Sequence, residues 1–268
     1  MKLNVLLALT DQLRSKYKNM VNDFTKFFEN SQSAFLGEKN TYIPREGAID
    51  DSSKRKHTKV VTTVDEKLNW FIEESEKFID ALFSQEKTNA VGVAAAELIV
   101  DGKSWGKFTS LELLRLKSLL ENSDLESLEK MLKQIPVRSE SIVWEPTTNE
   151  EYKNRKIFET PQVSGISRTT EKIEYVLEDP NLKYGVPGNY SPKTSVKTIP
   201  VEIGDYTTQK FSGEWSHYER AMTLKRRSDL ITAVVVALKV CNDVEQVSSE
   251  LTAKKIFKYL FYGENKEI

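Results

Sequence analysis

The sequence predicts an α+β protein that is mostly helical, with a long antiparallel helical hairpin, a helical body and a small β insertion. Three observations support this fold class. Apolar residues recur in steps of three and four before residue 136 and again after residue 213. Prolines and glycines are concentrated between those two regions. Short runs of β-branched and aromatic residues separate these prolines and glycines, which is typical of strands and turns.

The first helix is predicted over about residues 3 to 30. Its apolar side follows a heptad pattern through Leu3, Leu6, Thr10, Leu13, Tyr17, Met20, Phe24 and Phe27. A stripe with this spacing needs a partner helix to cover it. A second amphipathic helix is predicted to start after Thr62, with Asp65 in its first turn. Two helices of similar length joined by a loop favour an antiparallel hairpin.

Turn residues and a basic cluster break the helical pattern between residues 37 and 59, which predicts a loop. Further along, the dipeptide Asp101-Gly102 predicts a tight turn between two short strands. Thr109 or Ser110 is expected to cap a third helix, and Pro136 is expected to end a fourth.

The proline-rich region is predicted to hold short strands near residues 141–144, 156–160, 172–177 and 198–203. A long loop is expected from Asp179 to Pro200, where apolar residues are few. Helices are predicted again from Ser216 to about Val244 and from Ser249 to Gly263.

The predicted organisation has three parts. Residues 1–136 form the helical hairpin and body, residues 137–213 form a proline-rich strand and loop insertion, and residues 214–268 form C-terminal helices that pack on the body.

Composition excludes several classes of protein. The formal net charge is −1, so no global field favours nucleic acid or a membrane surface. The single cysteine, Cys241, excludes an intrachain disulfide and a CxxC zinc site, and two histidines are too few for a His-rich metal site. The sequence lacks glycine-rich phosphate loops and long apolar spans, so no cofactor and no membrane association are predicted. The predicted compartment is the cytoplasm.

Two stretches of sequence carry a resemblance. One is Thr88-Asn-Ala90 followed by the leucine-rich helix from Thr109 to Leu120, and the other is Phe211-Ser-Gly-Glu-Trp-Ser-His217 followed by Lys225-Arg-Arg227. Together they resemble an uncharacterised family of bacterial proteins of unknown function. The first is also similar to helical-hairpin proteins labelled septicolysin. The resemblance implies a bacterial or phage origin and a helical hairpin, and it implies no activity.

The favoured function is a non-enzymatic assembly or interaction protein that forms a homo-oligomer. A heptad stripe on the first helix is the predicted self-association surface, because such a stripe is suited to a second helix. Its residues are Leu3, Leu6, Leu13, Tyr17, Met20 and Phe24.

Two alternatives stay open. A nucleic-acid-associated protein would use the basic loop at residues 54–59, with Lys54, Arg55 and Lys56, together with a face formed by Arg226 and Arg227. A small-anion binder or enzyme would instead be centred on His217, Arg220 and Arg227, because paired guanidinium groups bind phosphate and carboxylate. No catalytic residue and no metal ligand are predicted.

Overall fold

A computed structural model of the protein describes residues 3–91, 94–121, 127–177 and 193–243, with the backbone alone for residues 3–9. The helices are α1 (Leu3–Asn30), α2 (Val64–Asn89), α3 (Ser110–Leu120), α4 (Glu129–Gln134) and α5 (His217–Cys241). The strands are β1 (Leu36–Pro44), β2 (Lys56–Thr58), β3 (Ala95–Val100), β4 (Lys103–Thr109), β5 (Glu145–Pro146), β6 (Phe158–Glu159), β7 (Val163–Val176) and β8 (Thr194–Ser212). Short 3-10 helices cover Gln32–Phe35, Ser52–Lys54 and Glu150–Tyr152.

Six of these strands form one antiparallel sheet, in which β8 is central. The strand order is β2-β1-β8-β6-β5, and β7 also pairs with β8. β1 pairs with residues 204–212 of β8, while β6 and β7 pair with its other edge. The two remaining strands, β3 and β4, form a separate hairpin. Its turn has positive φ at Asp101 and Gly102, which confirms the tight turn predicted there.

The prediction of a mostly helical fold with a long helical hairpin and a small β insertion is wrong. The sheet is a major element, and it recruits strands from residues 36–58 as well as from residues 145–212. The helices α1 and α2 pack on each other, but the connection between them contains two strands of this sheet. The two helices are therefore not a free-standing hairpin.

Two errors in the sequence interpretation have a shared physical cause. Residues 37–44 contain Gly37 and Pro44, which favour a turn. These residues nevertheless belong to β1, because β8 pairs with them along the whole strand. The sequence predicts only a loop over residues 194–197, yet they form the start of β8 because β7 pairs with them. In both cases the partner is distant in sequence, so a local pattern carries no record of it.

The main hydrophobic core lies between α1, α2 and α4 and is rich in aromatic rings. Tyr17 of α1 stacks on Phe78 of α2 with ring centroids 4.7 Å apart. Phe24 of α1 lies between Trp70 and Phe71, with both centroid distances at 5.3 Å. From Tyr17 to Phe24, the heptad stripe of α1 is therefore covered within the chain by a partner helix with bulky rings.

Two smaller clusters complete the core of the described residues. One joins the β3–β4 hairpin to α3 and α5, and it contains Leu98, Leu113, Val234 and the buried Cys241. The other packs the region before α2 against β8, and its members are Val60, Tyr152, Ile157 and Phe211. The helices α3 and α5 thus cover the hairpin, whereas Val60, Tyr152 and Ile157, which lie outside the α-helices, pack against the sheet.

Three helices begin with a capping box, in which a hydroxyl accepts a hydrogen bond from the third helical N–H and a glutamate reaches back. The caps are Thr63 with Glu66 in α2, Thr109 with Glu112 in α3, and Ser216 with Glu219 in α5. The caps at Thr109 and Ser216 confirm the sequence predictions. The cap of α2 lies one residue later than predicted. The predicted helix from Ser249 to Gly263 falls outside the described residues.

Residues 213–216, between β8 and α5, form a junction that several elements contact. The N–H of Val64, at the start of α2, donates to the carbonyl of Gly213 over 3.0 Å. The N–H of Arg138 donates to the carbonyl of Trp215 over 2.8 Å. The indole N–H of Trp215 donates to Asp65 over 2.6 Å. The sheet and the two long helices α2 and α5 are therefore fixed to one short segment.

Two glycines of the sheet lie directly beneath tyrosine rings. A Cβ atom at Gly204 would lie 2.4 Å from the ring of Tyr42, and a Cβ at Gly165 would lie 2.5 Å from the ring of Tyr206. The hydroxyl of Tyr42 also donates to the carbonyl of Ile203 over 2.9 Å. The glycines therefore leave the space in which the aromatic rings cover the sheet.

Gly204→Ala should lower the free energy of unfolding by about 1–3 kcal/mol, because its methyl group overlaps the Tyr42 ring. In a Tyr42→Leu background the same substitution should cost much less, since the overlapping ring is gone. Urea denaturation of the four chains of this double-mutant cycle measures the difference. An equal penalty in both backgrounds would show that the ring does not impose the glycine.

Candidate functional site

The predicted self-association stripe of α1 is largely used inside the protein. Tyr17, Met20 and Phe24 are buried in the main core, and Leu13 is partly buried against it. The side chains of Leu3 and Leu6 lie outside the described residues. Self-association through this stripe stays a prediction, and three of its six members already have partners on α2.

The basic loop is held by contacts within the chain. The ammonium group of Lys54 lies 4.8 Å from the centre of the Tyr42 ring. Arg55 donates from Nε to the carbonyl of Tyr42 over 3.1 Å, and Lys56 pairs with Glu38 at 3.1 Å. These cations anchor the loop to β1. Nucleic-acid binding by this loop stays a prediction, and the contacts found here give it no support.

Arg220 and Arg227 of α5 bind the ends of two other helices. Arg220 donates to the carbonyl of Ile135, just after α4, over 3.1 Å. Arg227 donates from Nε to the carbonyl of Leu120, the last residue of α3, over 2.5 Å. It also pairs with Glu129 at 2.6 Å, and both of these side chains are mostly buried. Cations are favourable at helix C-termini because the last carbonyls there are unpaired.

The other predicted contacts on α5 are exposed. His217 is the first residue of the helix, and Arg226 lies beside the buried Arg227. The structure does not bring His217, Arg220 and Arg227 into one anion site, because the two arginines are directed to different helix ends. An anion-binding function centred on them stays a prediction.

The most prominent feature that the sequence interpretation missed is a projecting β-ribbon. Residues 168–176 of β7 pair with residues 194–202 of β8. β1 reaches only as far as residue 204 on the other edge of β8. We call this two-stranded extension the arm. At about 3.3 Å per residue, it extends roughly 30 Å beyond the sheet.

The arm has one polar and one apolar face. Residues directly opposite each other on paired strands share a face, and successive residues alternate between faces. One face is mainly polar: Arg168 donates to Glu202 over 3.1 Å and Thr194 donates to Glu174 over 2.8 Å, although the exposed Val176 and Val196 also lie on it. The other face carries a continuous apolar run of Val201, Ile199, Ile173 and Tyr175.

The apolar face is open to solvent on its β7 side, whereas Ile199 and Val201 on β8 are half-buried. Every residue from 168 to 177 is exposed, and Ile173 and Tyr175 each keep 45% of their surface. Pro200 lies in this part of β8, opposite Thr170. A proline has no N–H for the ladder, so its nitrogen is suited to the outer edge of the ribbon and hinders pairing with a further strand there. The face of the arm is therefore better suited to a contact than that edge.

A groove of about 520 Å³ lies at the opposite end of β8 from the arm. Its apolar lining comes from Leu36 of β1, Phe211 of β8, and Ile142 and Trp144 in the segment before β5. The indole N–H of Trp144 donates to the carbonyl of Ser139 over 2.9 Å, which fixes that segment over the sheet. Volumes of this size accommodate several side chains or a drug-sized molecule.

Charged groups of both signs also line the groove. They are Glu38, Lys56, Lys210 and Glu214. The hydrogen bond from Lys56 holds the pKa of Glu38 below its ordinary value. Burial raises the pKa of the Glu214 carboxyl, and the hydrogen bond from Ser212 offsets that rise only in part. The groove is thus an apolar slot with an acidic and a basic rim.

Sequence signals for the arm exist but are weak. Apolar and polar residues alternate in both of its strands, and the predicted strands near 172–177 and 198–203 cover part of them. The groove has no comparable signal, because its walls come from four segments that are separated in sequence.

Two kinds of site are absent from the described part of the chain. No group of three or more His, Cys, Asp or Glu side chains there is arranged to hold a metal ion. No helix in the same residues has the length and apolar character needed to cross a membrane.

The fold and the surface together define an α+β protein with a central antiparallel sheet, a projecting β-ribbon arm and an apolar groove. The chain belongs to a family of unknown function, DUF7873, which matches residues 1–264. The predicted membership of an uncharacterised family is therefore confirmed. No curated protein and no solved structure matches the chain significantly. The similarity to septicolysin stays a prediction.

Arg227→Met should lower the free energy of unfolding by about 1–3 kcal/mol, because it removes one of the two cations paired with the mostly buried Glu129, which keeps Lys133, and also removes the hydrogen bond to the Leu120 carbonyl. The double variant with Glu129→Gln should lose less than the sum of the single losses. Urea denaturation measures both, and Arg226→Met at the exposed neighbouring position is the control, with a change of at most about 0.5 kcal/mol. Equal stability of the Arg227 and Arg226 variants would contradict the structural role of Arg227.

Glu214→Gln should make the protein more stable at pH 7. The raised pKa means that the folded state favours the protonated carboxyl. The stability that protonated Glu214 contributes is therefore present at low pH and is lost as the pH rises through the folded pKa. Glutamine keeps the acceptor for Ser212 without the buried charge. Thermal unfolding from pH 3 to pH 8 should show the gain disappearing at low pH.

Glu38→Gln is the matched control in the same groove, and it should make the protein less stable at pH 7. The lowered pKa of Glu38 means that its charged form stabilises the fold above the unfolded pKa of about 4.5, and that this is lost as the pH falls. A stabilised Glu38→Gln or a destabilised Glu214→Gln at pH 7 would contradict this assignment.

Proposed function

We propose that the protein is a non-enzymatic assembly protein that associates with further copies of itself, and that the arm is the element through which the copies associate. The observation that carries this proposal is the apolar face of the arm, on which Ile173 and Tyr175 are exposed and Ile199 and Val201 are half-buried. The proposal keeps the homo-oligomer expected from the sequence and moves its main contact from α1 to the arm.

The energetics of a two-stranded ribbon support this proposal. An isolated hairpin is marginally stable in water, because it buries little apolar surface while its backbone is ordered. Residues 194–202 pair with β7 and lie beyond the reach of β1. Full burial of an apolar side chain contributes about 1.5–3 kcal/mol, so covering four of them would stabilise the arm substantially. A partner molecule provides such a cover.

The polar face of the arm supports the same orientation. Arg168 pairs with Glu202 across the ribbon, and Glu202 also pairs with Arg45 at the base of the arm. These contacts fix the arm to β1 and leave the polar face suited to water. The apolar face is then the one directed to a partner.

The two other functions expected as alternatives have weaker support. The cations of the basic loop and two of the arginines of α5 have structural partners, as described above. The cytoplasm is the proposed compartment, since the single cysteine, Cys241, is free and buried.

Ile173→Asp combined with Ile199→Asp should convert the oligomer to a monomer, because two charges would then lie on the apolar face. The matched control is Thr170→Asp with Thr198→Asp, which adds the same charges to the polar face of the same strands. Light-scattering mass on a sizing column checks this. The wild-type and control chains should give multiples of 30.7 kDa, and the apolar-face variant should give the mass of one chain.

Circular dichroism of each chain shows whether the fold is retained. A wild-type protein that is monomeric at high concentration would overturn the proposed function. An apolar-face variant with the same mass as the wild-type oligomer would remove the arm from the association.

A further inference from the structure

We infer that the groove of one copy receives the apolar face of the arm of the next copy. This inference rests on the proposed function and specifies its second surface. The groove offers apolar walls at Leu36, Ile142 and Trp144, and the arm offers Ile173 and Tyr175 as exposed apolar side chains. The arm of one copy and the groove of the next copy are thus the two sides of one contact.

The position of the two surfaces excludes the chain's own arm as the occupant. Ile199 and Phe211 lie on the same strand, and the strand rises about 3.3 Å per residue, so the arm and the groove are roughly 40 Å apart. The arm also extends away from the groove, because β8 runs from the arm towards the groove. An arm in this groove therefore comes from a second copy.

The volume of the groove matches part of the arm's face. About 520 Å³ accommodates a drug-sized molecule, which is comparable to two or three large side chains. Ile173 and Tyr175 project from the same face of β7 at neighbouring positions, so both reach one groove together. The remaining apolar residues of the run then lie along the groove's rim.

Charge complementarity supports the same occupant. Glu171 and Lys197 lie on the apolar face, and each faces an isoleucine across the ribbon instead of an opposite charge. Among the charged side chains that line the groove, Glu38 and Lys56 pair with each other, whereas Lys210 and Glu214 form no ion pair within the described residues and supply one charge of each sign. An arm seated in the groove places one acid and one base beside groove residues of opposite sign.

This contact joins two different surfaces, so it is a head-to-tail association. Such contacts close into a ring when the rotation between copies permits it and otherwise continue as a filament. Each copy in the assembly then contributes its arm to one neighbour and its groove to the other.

The first test introduces a charge into the groove. Ile142→Asp should abolish association, whereas Val143→Asp should not, because Val143 is adjacent and exposed but does not line the groove. The decisive sample mixes the Ile142→Asp chain with the arm variant Ile173→Asp/Ile199→Asp. One chain keeps an intact arm and the other keeps an intact groove, so the mixture should form a heterodimer of twice 30.7 kDa.

A second test uses cysteines and does not require a disruptive substitution. A chain with Ile142→Cys and a chain with Tyr175→Cys should form a disulfide-linked dimer when they are mixed under mild oxidation. Neither chain alone should do so, since the native Cys241 is buried. Gel electrophoresis without reductant measures the product, and the wild-type chain is the control.

The outcomes distinguish this inference from the proposed function. Normal assembly of Ile142→Asp, together with loss of assembly in the arm variant, would overturn the groove as acceptor and leave the arm proposal standing. Cross-linking of the Tyr175→Cys chain with itself would show that arms pair with arms, and it would also overturn the inference. A mixture that stays monomeric would show that arm and groove do not meet.

Discussion

The fold depends on the junction at residues 213–216, where the sheet, α2 and α5 share backbone hydrogen bonds. Gly213 uses both of its peptide groups there: its N–H donates to the carbonyl of Phe35 over 2.8 Å, and its carbonyl accepts from Val64. A Cβ atom at this position would lie 2.9 Å from the side chain of Thr63, so the close approach requires glycine. Because β8 ends here, the direction of the arm and the start of α5 are set by the same few bonds.

The features that sequence analysis predicted correctly are those with local causes. The bounds of α1, the turn at Asp101-Gly102 and the caps at Thr109 and Ser216 are each encoded within a few residues. The sheet is different, because the backbone of β1 is satisfied by β8. Thr41 and Thr207, which face each other in that ladder, are 166 positions apart. No pattern within residues 36–44 records such a partner, and Gly37 and Pro44 favour a turn instead.

The same distinction applies to the candidate surfaces. A cation in a sequence is equally suited to an external anion and to an internal partner, and only the fold shows that Lys54 lies over Tyr42 and that Arg227 binds the end of α3. The heptad stripe of α1 is similar, since it correctly indicates a need for cover and leaves open whether α2 or another copy provides it. The arm could be predicted in part from its alternation, whereas the groove could not, because it exists only after four segments meet.

The long ladder between β1 and β8 also has a consequence during synthesis. A ribosome adds about 5–20 residues each second, so residues 36–44 wait roughly 10–30 s before the strand that pairs with them has been made. Throughout that interval the edge of β1 has no partner from β8, while α1 and α2 already have each other's aromatic side chains available. The helical core is thus ready to form first, and the nascent chain completes its sheet, and with it the arm, only after β8 has been synthesised.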